Sequence, residues 1–88
     1  MNISRGVNPG DREYQKTYKA FRRRLRDARE QAGLTQGEVC KLMKKYRTFI
    51  SKCESGERRV DHVELRRLAR IYSKPVSFFD PPSESRNA

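Results

Sequence analysis

Tyr14, Tyr18, Phe21, Leu25, Ala28 and Ala32 recur at steps of four, three, four, three and four, which puts them on one stripe of an α-helix. Arg22, Arg23, Arg24 and Arg26 fall off that stripe or on its margins and read as a solvated cationic face. Asp11 stands where an N-cap would, and Gly33 where a left-handed residue ends a helix. Thr35-Gln36-Gly37-Glu38 has the T-x-x-E form of a capping box, so a second helix starts there. Val39, Leu42 and Met43 make its apolar face, with Cys40 beside them. Lys44-Lys45 breaks the stripe, and Phe49, Ile50 and Cys53 open a third one that Ser55-Gly56 closes. Asp61-x-x-Glu64 is a second capping box, with Asp as the cap, and Leu65, Leu68, Ala69 and Tyr72 follow at helical spacing. Ser73-Lys74-Pro75 ends that fourth helix, and Val76, Phe78 and Phe79 suggest one more short turn. Nowhere do polar and apolar residues alternate as a strand requires. The pattern predicts an all-α bundle of four or five short helices. Tyr18, Phe21, Tyr72 and Phe79 are expected in its core, with Phe78 left exposed beside the inward Phe79.

The ends of the chain read differently. Met1–Gly10 holds the turn sequence Asn8-Pro9-Gly10 and no periodic apolar pattern, so residues 1–10 are expected to form a flexible arm. Residues 80–88 are a polar tail, expected to be disordered. Residues 11–79 remain as one domain, which is also all that 88 residues allow.

Charge changes the picture more than apolar content does. Lys and Arg number 21 against 11 Asp and Glu, a formal net charge of +10. Residues 1–35 carry nine basic against four acidic side chains, residues 36–60 seven against three, and residues 61–88 five against four. The basic surface therefore belongs to the first two thirds, and a small protein this basic most often meets a polyanion. No apolar run approaches the ~20 residues of a membrane span, and Met1–Arg5 has no signal-peptide pattern. One His and two Cys leave little for a zinc site, and His62, in the first turn of the fourth helix, is expected to be exposed. Two cysteines make no secreted-type disulfide framework, so a cytoplasmic chain with reduced thiols is expected. Cys40 and Cys53 read as core residues. No nucleophile–base constellation, phosphate-cradling Gly loop or metal set appears, and neither enzymatic activity nor a cofactor is expected.

Three fragments taken together point further. Leu25-x-x-Ala-Arg-x-x-Ala-Gly-Leu-Thr-Gln-x-Glu-Val, then Ile50-Ser-Lys-x-Glu-Ser-Gly-Glu-Arg-Arg, then Glu64-Leu-x-x-Leu-Ala resemble, in order and spacing, the phage-repressor (Cro-type, XRE-type) helix-turn-helix domain. The resemblance covers roughly Phe21 to Phe79. It implies a lambda-repressor-like fold of about five helices whose second and third form the DNA-reading unit. It also implies a sequence-specific regulator of transcription, a repressor binding a palindromic operator in double-stranded DNA as a homodimer associated with the nucleoid. By position, Arg47, Thr48 and Lys52 take the base-reading places. Thr35, Gln36, Lys45, Ser51, Arg58 and Arg59 take those that contact phosphate. Gln36 is in addition expected to brace the start of the third helix. The resemblance further implies a partly buried bridge between Arg29 and Glu54, and the surplus aromatic Phe78 is expected to mark a dimer contact.

The chemistry of these residue types agrees. Arg can bond guanine O6 and N7 together, Lys reaches the same edge, and Thr offers a hydroxyl and a methyl. Arg58 and Arg59, in a loop, suit contacts that position without specifying. The chain also departs from the family, which usually has Gly at the turn, a small apolar residue next, and Ser or Thr capping the third helix. Lys44, Lys45 and Tyr46 stand there instead. Lys44 is expected to take the left-handed conformation at modest cost, and Tyr46 has no hydroxyl near the backbone with which to cap. Two rival readings carry different surfaces: an antitoxin-like or accessory module that binds another protein, and a nonspecific polyanion binder driven by the arginines of the first helix.

Overall fold

A computed structural model describes residues 12–80; the arm, the cap at Asp11 and residues 81–88 lie outside the described residues. Four α-helices, α1 (Arg12–Gln31), α2 (Gln36–Met43), α3 (Phe49–Ser55) and α4 (His62–Ile71), are followed by a 3₁₀ turn, Val76–Phe79. Both capping boxes form. Thr35 accepts from the Glu38 amide while Glu38 accepts from the Thr35 amide, and Asp61 and Glu64 do the same at α4. The stops are equally local. Gly33, Lys44, Gly56 and Ser73, with φ of 73°, 57°, 87° and 57°, take the left-handed conformation just past α1, α2, α3 and α4. After Gly33, Lys44 and Ser73 the next amide reaches back five residues: Leu34 to Arg29, Lys45 to Cys40 and Lys74 to Ala69. These are Schellman closures.

The core gathers Leu25 and Ala28 from α1, Val39, Cys40 and Met43 from α2, Phe49, Ile50 and Cys53 from α3, Leu68, Ala69 and Tyr72 around α4, and Phe79. Every element thus contributes to one apolar cluster, and its burial is the main stabilising term. Several expectations need correction. Leu42 is 53% exposed; on this short helix the inward positions are Val39, Cys40 and Met43, and Cys40 takes the place expected of Leu42. Ala32 is exposed because α1 ends at Gln31, one residue before it. Tyr18 and Phe21 are half-buried rather than core. The first turns of α1 face Arg59 and the Val60–Leu65 segment, and the two rings line an apolar cleft of about 370 Å³ there. Leu65 is likewise half-buried, whereas Glu64, expected only as a cap, is 7% exposed. Phe78 is not a free aromatic: it is half-buried against the core, with the Arg24 guanidinium 5.5 Å and the Lys74 ammonium 4.6 Å from its ring centre.

Candidate nucleic-acid interface

α2 and α3 are joined by the turn Lys44–Thr48 and pack on each other through the core residues Val39, Cys40, Met43, Phe49 and Ile50. The anchoring side of α3 is complete. Phe49, Ile50 and Cys53 are at most 1% exposed, and the spacing i, i+1, i+4 leaves the opposite side free. Arg47 and Thr48 are exposed and precede the helix, in the turn; Ser51 and Lys52 are half-buried on it. Thr48 occupies the N-cap position at φ −100°, ψ 10°, with no side-chain capping bond. The Ser51 hydroxyl donates back to the Thr48 carbonyl at 3.1 Å.

One cluster ties α3 to α1 and α2. The Arg29 guanidinium donates twice to the Glu54 carboxylate, at 2.7 and 3.1 Å, with side chains only 12% and 8% exposed. A third Arg29 bond, at 3.0 Å, goes to the Leu34 carbonyl. The hydrogen bond to Glu54 raises the Arg29 pKa despite burial, so the guanidinium stays charged. Gln36, the first residue of α2, donates its amide to the same carboxylate at 3.0 Å. Gln36 therefore braces the end of α3, not its start, because Glu54 lies in its last turn. Ser51 and Gln36 share one cleft of about 340 Å³ with Arg26, Arg29 and Glu54.

A second cluster surrounds Glu64. Arg58 donates to both carboxylate oxygens at 2.8 and 3.0 Å, the Asp61 amide donates at 3.1 Å, and the Lys45 ammonium lies 3.6 Å away. Burial alone would raise the Glu64 pKa; the bonds from Arg58 and the Asp61 amide, with both cationic charges, outweigh it and lower it. Lys45 and Arg58 also lie over the Phe49 ring, 5.2 and 4.8 Å from its centre, and Tyr46 meets that ring edge-on. Two residues expected to contact phosphate are thus held at opposite ends of α3 by one carboxylate, each still about a third exposed. Arg59 is separate from them. It is exposed and stacked on Tyr18, 4.3 Å from the ring centre, at the start of α1.

Three side chains acquire roles that sequence reasoning missed. Arg22 donates to the Ser55 carbonyl at 2.6 Å and the Glu54 carbonyl at 3.4 Å, placing a cation on the C-terminus of α3, where the helix dipole favours one. Its spacing of seven from Arg29 was a usable signal, since the two share a helix face. Glu64 was legible as a cap but not as the centre of a cationic cluster. Cys40 carries two hydrogen bonds on its sulfur, to the Arg47 carbonyl and from the Ile50 amide. Cys53 is inert by comparison: burial pushes its thiol up to about 11, which opposes thiolate chemistry. Thr35 keeps its hydroxyl in the capping bond, and His62 is exposed.

Among the described residues no helix is long and apolar enough to cross a membrane. Neither a curated protein nor a solved structure matches the chain. The family model for a helix-turn-helix domain matches residues 20–75, the span from the second half of α1 to the start of the 3₁₀ turn and so the whole α2–turn–α3 unit with the helices that hold it. By that match and this arrangement of helices, the chain belongs to the helix-turn-helix domain family.

Proposed function

We propose that the protein is a sequence-specific regulator of transcription, a repressor that binds double-stranded DNA without catalysing a reaction and sits as a homodimer on a palindromic operator. One observation carries this reading: α3 is anchored by three buried residues, while Arg47 and Thr48 are exposed in the turn that leads into it and Lys52 is half-buried on it. A helix so mounted can enter the major groove with its N-terminal end toward the base edges. Arg47 and Lys52 would then read guanine O6 and N7, and Thr48 a thymine methyl or a polar edge. The phosphates on either side would meet Thr35 and Gln36 at the N-terminus of α2, where free amides and the helix dipole favour an anion. Lys45, Ser51, Arg58 and Arg59 complete the backbone contacts. Such contacts set register and affinity, while the base contacts set sequence. Two copies on a two-fold site would place paired α3 helices about 34 Å apart and occlude the DNA between them.

Selection of binding sites from random duplex DNA tests the reading. An enriched palindrome is the expected result. Binding without any enriched sequence would point to a general polyanion binder, and no DNA binding at all to a module whose partner is another protein.

A further inference from the structure

Helices α2 and α4 start alike, and α3 does not. Thr35 and Asp61, at φ/ψ of −85°/163° and −85°/171°, cap α2 and α4 from the extended conformation an N-cap residue needs. Thr48, at −100°/10°, lies outside that conformation and its hydroxyl caps nothing. The first amides of α3 must therefore be met by other groups. The Phe49 amide finds the Tyr46 carbonyl at 3.0 Å. The Ile50 amide belongs to a residue 1% exposed, and a buried N–H without a partner is costly. Its partner is the Cys40 sulfur, at 3.5 Å.

We propose that Cys40 is a positioning residue for the DNA-reading segment: its thiol stands in for the N-cap that α3 lacks and fixes the backbone of Arg47. The thiol accepts from the Ile50 amide and donates to the Arg47 carbonyl at 3.4 Å. Its own carbonyl accepts from the Lys45 amide at 3.0 Å. One residue of α2 therefore holds the turn at its beginning, at Lys45, and at its end, at Arg47 and Ile50. The thiol suits this place for a physical reason. Position 40 is 3% exposed and packed within the apolar cluster, yet it must offer both a donor and an acceptor. Cysteine does both while behaving as a small hydrophobe. Thiol bonds are individually weak, but the alternative here is an orphaned buried amide and an Arg47 free to swing at the helix entrance.

The part that concerns Arg47 rests on the proposed DNA reading; the capping part does not. Two variants separate them. Cys40→Val keeps the volume and apolar character and loses both bonds, while Cys40→Ser keeps a donor and an acceptor. Hydrogen exchange of the free proteins is the first measurement. The Ile50 amide should exchange about fivefold faster in Cys40→Val, with α1 amides unchanged, and should recover part of its protection in Cys40→Ser. Unchanged exchange at Ile50 in Cys40→Val would overturn the cap. Site selection is the second measurement. Cys40→Val should lose preference at the base pair assigned to Arg47 while keeping affinity for scrambled DNA, and Cys40→Ser should regain that preference. Full retention of the preference by Cys40→Val would overturn the positioning role. If the wild-type protein selects no sequence, the DNA reading and the Arg47 role fall together, and exchange still decides the cap. Should Cys40→Val not fold, the S–H stretching band of the wild-type thiol, assigned by difference from Cys40→Ser, decides instead. A donating thiol gives a band below that of an unbonded one, and a band at the unbonded position would overturn the proposal.

Discussion

Glu64 keeps a negative charge at 7% exposure, which is tolerable only because Arg58, Lys45 and the Asp61 amide surround it. A carboxyl whose pKa is lowered by folding contributes stability that is fully present above its unfolded value and disappears as pH falls through the lower folded value. Acid unfolding of the wild type should therefore begin as pH drops below the ordinary carboxylate range. Glu64→Gln should lose about 1–3 kcal/mol at pH 7, discounted because Arg58 remains partly solvated. The gap between the two proteins should close toward the acid end; urea melts from pH 7 to pH 3 measure it, and a constant gap would remove ionisation from the explanation. Arg47 makes the opposite case, since its exposed side chain bears on binding and little on stability. Arg47→Ala should leave the urea midpoint in place, cost on the order of 1–3 kcal/mol of operator affinity, and relax preference at one base pair per half-site. Binding curves against operators varied one base pair at a time would show this; a uniform loss across sequences would contradict it. Glu64 was legible in the sequence as a cap, and Arg47 took its expected place only from the family resemblance. Nothing local says that Arg58 returns to Glu64.

Elements were legible in proportion to how local their causes are. Capping boxes at Thr35 and Asp61 and the stops at Gly33 and Gly56 lie within a few residues of the structure they create, and they form where the pattern puts them. Leu42, Ala32, Tyr18 and Phe21 depended on how far each helix runs and on what packs opposite, which a single helical stripe does not encode. The two glycines separate local from tertiary demands. Gly33, at φ 73°, has open space where a Cβ would sit, whereas at Gly56, at φ 87°, a Cβ would lie 2.9 Å from the Arg22 guanidinium. Gly33→Ala should cost about 1–2 kcal/mol, the left-handed penalty alone. Gly56→Ala carries that penalty and also displaces Arg22 from the Ser55 carbonyl. It should cost about 1 kcal/mol more, and the excess should vanish in an Arg22→Ala background. Equal melting shifts for the two glycine variants would rule Arg22 out as a cap. The bridge from α1 to α3 invites a double-mutant cycle. Arg29→Met strands Glu54 and Glu54→Leu strands Arg29, each at a cost of about 3–5 kcal/mol for a pair this buried. Together the two should cost markedly less than their sum in urea titrations; additivity within about 0.5 kcal/mol would mean that the contact contributes nothing specific.

At the scale of the molecule the asymmetry of charge decides how binding responds to salt. The excess of basic residues lies before Asp61, in the part of the chain that holds the proposed reading segment and the loop after α3. Several of those cations are already engaged. Arg22 and Arg29 hold α3, Arg24 lies on Phe78, and Lys45 and Arg58 share Glu64. Arg59 differs, since its guanidinium is stacked on Tyr18 yet exposed and faces no carboxylate among the described ion pairs. A cation of this kind that meets a phosphate releases about one counterion, so its loss reduces the slope of log affinity against log salt by ~0.9 for each contact removed. It should weaken operator and scrambled DNA alike, because a phosphate carries no sequence. The size of the change also counts the copies of the chain on the DNA. If two copies occupy a palindrome, Arg59→Ala removes two contacts per operator and the slope should fall by ~1.8, while a single half-site loses ~0.9. Anisotropy titrations from about 50 to 200 mM salt on a full operator and on a half-site resolve the two values. A ratio near two supports paired binding, and equal changes on both duplexes would leave one chain per operator.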